Sequence, residues 1–165
     1  MNKWCMRPKD VANLYNPAFC SVVLTTSVTS YSSIKSEGMP LALSFIAFSV
    51  LLNNKLENKL PRSVSTSLAT WIDDNTESKL LLQEIVVPLK SFVQESILFS
   101  AFQNWLSLDK SGNLISTKTE NDIKRFLDFF EGDNREIIRH ARFLGKWFAL
   151  SGNTETVMAL WGIRI

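Results

Sequence analysis

Arg135, Arg139, Arg142 and Lys146 recur at i, i+4, i+7 and i+11, an interval that lines four cations along one side of an α-helix. Such a stripe grips phosphates or an acidic protein surface, which is the chemistry of binding rather than of bond making. Asp133 and Glu136 fall in the same stretch, so the competing reading is a solvated polar face. Ile137, Ala141, Leu144 and Phe148 repeat at the same interval on another side. The helix therefore has one face to bury and one to offer.

The remaining reactive groups form no recognisable constellation. His140 is the only histidine, and it falls between the stripe and the aromatic residues Phe143 and Trp147. Without Cys or carboxylate ligands at regular spacing it makes no zinc site, and no Ser or Cys nucleophile stands ready for it to activate. It reads as a packed structural histidine. Asp73, Asp74, Glu77 and Glu84 read as capping and solvating groups rather than an acid and base couple. No Gly-rich phosphate loop and no metal-binding carboxylate set is present, so the expectation is a protein without cofactor or metal that is not an enzyme. Trp71, Trp105, Trp147 and Trp161 recur beside Leu and Ile without interleaved cations, which favours core packing over base stacking.

Positioning these residues falls to a run of helices. Asn16-Pro17 has the form of an N-cap followed by proline at the first helical position, and the residues from Phe19 can supply one apolar face, with fraying near Ser36 and a turn at Gly38 and Pro40. The many Ser and Thr between Ser21 and Ser33 are indifferent helix formers, so packing must hold this helix. Leu41 to Leu52 reads as a buried helix, and Pro61 as the opening of another that carries Val64, Leu68, Trp71 and Ile72 and stops at Asp73-Asp74-Asn75. From Glu77 to Leu106 the period is helical, with Pro88 splitting it in two. Asp109 to Asn113, followed by Leu114 and Ile115, suits a short hairpin that resembles the wing of a winged-helix domain. Thr119 with Asp122 has the form of a capping box, and Gly132-Asp133-Asn134 stops the helix it opens. A helix from about Arg135 to Leu150, a Ser151-Gly152-Asn153 turn and a short helix capped by Thr154 complete the outline, which is also that of a helix-turn-helix.

With 165 residues and 45% of them hydrophobic, the chain suits a single mainly α domain, 1–165, built as a compact bundle of helices with one short β-hairpin. A formal charge of +2 does not by itself announce nucleic acid. Cys5 and Cys20 read as free thiols rather than a disulfide. Trp4, Arg7, Lys9 and Asp10 break any leader-like apolar run, and Leu41 to Leu52 falls short of the roughly 20 residues a bilayer span needs. A cytoplasmic protein without membrane contact is expected.

The chain closes on Met158-Ala159-Leu160-Trp161-Gly162-Ile163-Arg164-Ile165, too apolar for a fraying end, so this terminus is expected to be buried. Taken with Tyr15-Asn16-Pro17-Ala18-Phe19-Cys20, Gly38-Met39-Pro40-Leu41, Ser67-Leu68-Ala69-Thr70-Trp71 and Ala141 to Phe148, it makes the chain resemble the middle component of bacterial three-component ABC systems, among them the small C subunit of Lamassu antiphage defence. The resemblance spans nearly the whole chain. It implies a non-catalytic adaptor between an SMC-like ABC ATPase subunit and an effector subunit such as a nuclease, with DNA reached through the complex. It carries over no catalytic residue. The alternative is a small helix-turn-helix or winged-helix DNA-binding regulator using Arg135, Arg139, Arg142 and Lys146.

Overall fold

In the computed structural model, which describes Pro8 and residues 14–164, the helical reading holds in its main lines. The elements follow in the order α1 (Pro17–Ser32), β1 (Met39–Pro40), α2 (Leu41–Leu51), α3 (Asn54–Glu57), α4 (Leu68–Asp74), α5 (Thr76–Ile85), α6 (Lys90–Phe102), β2 (Leu106–Leu108), β3 (Asn113–Ser116), α7 (Glu120–Phe129), α8 (Gly132–Leu150) and α9 (Thr154–Trp161). Trp4, Cys5, Arg7, Lys9, Asp10 and Ile165, on which part of the sequence reading rests, lie outside the described residues.

The axis of the protein is α1. The Asn16 side chain accepts from the Ala18 amide at 2.9 Å, and Pro17 takes the first helical position, where a missing donor costs nothing. The sequence predicts one apolar face, but every residue from Cys20 to Tyr31 is buried. Small hydroxylated side chains make this possible. Ser27 donates to the Val23 carbonyl at 3.2 Å and Thr29 to the Thr25 carbonyl at 2.8 Å, so these hydroxyls are satisfied within their own helix. Their small size also lets α8, α6 and α2 pack close around the axis.

Met39–Pro40 pairs with β3 where the sequence indicates only a turn, so the expected hairpin is part of a three-stranded antiparallel sheet of order β1-β3-β2. Leu108 faces Leu114 and Leu106 faces Ser116 across the hairpin. Asp109 closes its loop by accepting from the amides of Ser111 and Asn113, both at 2.8 Å, and these bonds hold its carboxyl below the usual range. The sheet docks on the axis through Thr29 Oγ1, 2.7 Å from Ser116 Oγ.

Other expectations fail too: Gly132-Asp133-Asn134, expected to stop a helix, opens α8, and α7 already ends at Phe129. No helix opens at Pro61: Ser63 Oγ accepts from the Ser65 amide at 3.2 Å, a local turn that competes with helix, and α4 begins only at Leu68. The cap of α9 is Asn153 rather than Thr154, its side chain accepting from the Thr156 amide at 2.8 Å. Pro88 does split the long helical stretch, since α5 and α6 meet at 74°. Among the described residues no single helix is long and apolar enough to cross a membrane. The capping box is also present, with Asp122 accepting from the Thr119 amide at 2.9 Å.

The end of the chain is tied down as far as it is described. Gly162, at φ 67°, donates to the Ala159 carbonyl at 3.0 Å and Ile163 to the Met158 carbonyl at 2.9 Å, which is a Schellman turn. It folds Ile163 back into the core beside the fully buried Trp161. Trp71 packs edge-on against Trp147 at 5.6 Å and at a tilt against Trp161 at 5.7 Å. Trp71 Nε1 donates to the Lys59 carbonyl at 3.1 Å and Trp147 Nε1 to the Thr66 carbonyl at 2.6 Å, so buried indole donors fasten the irregular segment before α4. Trp105 differs: it is half-buried, against Phe126, with Lys118 Nζ 5.3 Å from its ring centre.

Candidate functional site

The cationic side of α8 is where the sequence places function. Its opposite side is buried as expected, with Ile137, Ala141, Leu144 and Phe148 packed among Trp147 and the residues of α1 and α2. Burial of that stripe fixes the roll of the helix and turns Arg139 to solvent, while Arg135, Arg142 and Lys146 are half-exposed.

The four cations are not equivalent. Arg139 is bonded to Glu136, one turn earlier, at 2.6 Å. Arg142 reaches Glu120 at the start of α7 at 2.7 Å, and the contact is single-pronged: Arg142 Nε and Glu120 Oε1 are both shielded from solvent without a partner. Among the described residues, neither Arg135 nor Lys146 has a carboxylate within ion-pair distance, and Arg135 Nε is buried without an acceptor. A phosphate or an acidic surface would have to displace carboxylates from Arg139 and Arg142 but not from the other two.

His140 projects from the neighbouring side of the helix. Its Nδ1 is hydrogen-bonded to Glu57 Oε1, and the Glu57 side chain is 9% exposed against 34% for His140. Glu57 ends α3, so this pair clamps a one-turn helix onto α8. Sequence reading places His140 in a structural role but misses its partner, which lies 83 residues away. The sequence offers no local signal for such a contact.

Cys20, near the start of α1, is a buried free thiol, and burial pushes its pKa up to about 12. It remains a thiol at neutral pH and is a poor nucleophile. Tyr15 beside it is also shifted upward, first by burial and then by Cys20. Among the described residues no cluster of His, Cys, Asp or Glu could hold a metal ion.

Two other surface features stand apart from the helix. A shallow cavity of about 430 Å³ lies between α3 and α5, where Lys59 and Glu77 pair at 3.4 Å. A groove of about 410 Å³ runs along the α5–α6 corner beside the C-terminal turn. Large apolar side chains also stand in solvent, Phe102 at 88% and Phe129 at 80% exposure.

Neither a curated protein nor a solved structure matches the chain. A family model, described as the ABC-three component (ABC-3C) system Middle Component 3, matches residues 4–165. Spanning almost every residue, that match establishes that the chain belongs to the Middle Component 3 family of ABC-three component systems.

Proposed function

We propose that the protein is a non-catalytic adaptor that holds an SMC-like ABC ATPase subunit and an effector subunit, a nuclease, together in a cytoplasmic antiphage defence complex of the Lamassu kind. Membership of a middle-component family supports its association with the other parts of an ABC system. The observation that carries the contact role is the display of large apolar side chains on a tightly packed scaffold. Phe102 and Phe129 stand almost wholly in water while Cys20 to Tyr31 of α1 are sealed. Burying a ring of that size contributes about 1.5–3 kcal/mol, so exposed phenylalanines are ready anchors for a partner. DNA is met through the assembled complex, with the cationic side of α8 available to it or to an acidic subunit surface.

Co-expression of this chain with the ATPase and effector encoded beside it tests the reading. A ternary complex that survives size exclusion, and that loses one partner when Phe102 and Phe129 are both changed to Ser, is the expected result. A chain that purifies as a monomer and ignores both partners, or one that turns over a substrate by itself, would overturn it.

A further inference from the structure

The α5–α6 corner and the C-terminal turn enclose a groove of about 410 Å³ whose construction is specific. Its floor is apolar and fixed: Phe45, Val86 and Ile163 are each more than nine-tenths buried. Its upper edge carries Val87, which is 74% exposed, together with the exposed cations Lys90 and Arg164. Pro88 and the 74° corner set one wall. The other wall is the Schellman turn at Gly162, pinned by Gln83 Nε2 donating to the Trp161 carbonyl at 3.0 Å. Neither Lys90 nor Arg164 makes an ion pair with a carboxylate among the described residues.

We infer that this groove docks a segment of a companion protein in which an apolar side chain is flanked by carboxylates. The inference rests on the adaptor reading above and names the chemistry of one of its partners. The apolar floor takes the hydrophobic anchor, and Lys90 and Arg164, which have no carboxylate partner among the described residues, take the acidic flanks, which sets orientation and accelerates encounter. A nucleic acid fits less well, because the floor offers no exposed aromatic face on which a base can stack.

The test uses the full-length chain and short peptides tiling the sequences of the two companion components, each also made with Asp and Glu replaced by Asn and Gln. Binding is read by fluorescence anisotropy at two salt concentrations. At least one peptide with an apolar residue between acids should bind, and its amide form should bind about tenfold more weakly. Lys90→Glu and Arg164→Glu should each weaken it about tenfold, and Val87→Asp should abolish it, with melting temperatures unchanged because all three positions are exposed. No binding by any peptide, equal binding of acid and amide forms, indifference to both charge reversals, or displacement by an oligonucleotide would overturn the proposal. If a variant combining Val87→Asp, Lys90→Glu and Arg164→Glu still assembles the ternary complex, the groove is not the dock although the adaptor reading stands; if the wild-type chain assembles nothing, the adaptor reading itself fails.

Discussion

Gly145 of α8 lies against the carbonyl of Ser27 in α1 so closely that a methyl group at position 145 would overlap it and stand 3.1 Å from the Tyr31 amide nitrogen. The obstacle is backbone on backbone, and neither helix can yield without disturbing the packing around the axis. Gly145→Ala should therefore destabilise the protein by about 1–3 kcal/mol, although alanine is the better helix former. A lower urea midpoint with an unchanged slope is the expected reading; an unchanged or raised midpoint would show that the two helices separate freely.

Trp147 is 1% exposed and holds the Thr66 carbonyl as well as the ring of Trp71. Trp147→Ala should cost about 3–5 kcal/mol, and Trp147→Phe less. Retention of most of the ring's volume while the Thr66 carbonyl loses its donor should still leave Trp147→Phe about 1 kcal/mol below wild type. Thermal melts of the two variants distinguish the contribution of volume from that of the hydrogen bond. Loss of partner binding with no change in melting would instead assign the ring to an interface.

Removing the imidazole leaves the buried Glu57 carboxylate without its partner. His140→Ala should destabilise by about 1–3 kcal/mol, and adding Glu57→Gln should recover part of that loss, because a neutral amide is less costly to bury than a lone charge. A double variant less stable than the single one by the full cost of Glu57→Gln alone would mean that the two groups act independently.

Acid should loosen the ends of two elements first. The Asp109 and Asp122 carboxyls are both held below their ordinary value of 3.8, chiefly by backbone amide donors. A depressed folded-state pKa contributes stability that is complete above the unfolded value and is lost as the pH falls through the folded one. Amide exchange at the hairpin loop and at the start of α7 should therefore rise below about pH 4, and Asp109→Asn or Asp122→Asn should flatten the response at its own site.

Alkali acts on the axis. The Cys20 pKa is raised from 9.0 to about 12 by burial, so its contribution is complete below pH 9 and is lost as the pH climbs toward 12. Native protein should resist thiol reagents at neutral pH at this position and should react there only as it unfolds. Cys20→Ser should keep the alkaline loss from this site from appearing, at the cost of a buried hydroxyl. Rapid labelling of Cys20 in the folded protein would contradict this.

Much of the scaffold was legible because local chemistry fixed it. Asn16-Pro17, the Thr119 and Asp122 box, the break at Pro88 and the turn at Gly152 each announce themselves within a few residues. The burial of α1 on all sides was not, because Ser27 reads as polar and nothing near it in sequence announces that Gly145, far along the chain, packs against its carbonyl. Arg135, Arg139, Arg142 and Lys146 all lie on α8, yet the pairing of Arg142 with Glu120 depends on how α7 folds back, and no spacing within α8 encodes that. Glu57 with His140 is the same case at longer range. Pro61 opens no helix because the serines that follow it close a local turn instead.

The Ser/Thr-rich axis has a consequence for biosynthesis. Pro17–Ser32 leaves the ribosome well before its principal cover, Gly132–Leu150, is translated. During that interval the segment can find few of its native neighbours, and its hydroxyls let it wait in water more safely than a leucine-rich segment would. Folding of this chain is thus a closing event, completed only when the late helix wraps the early one.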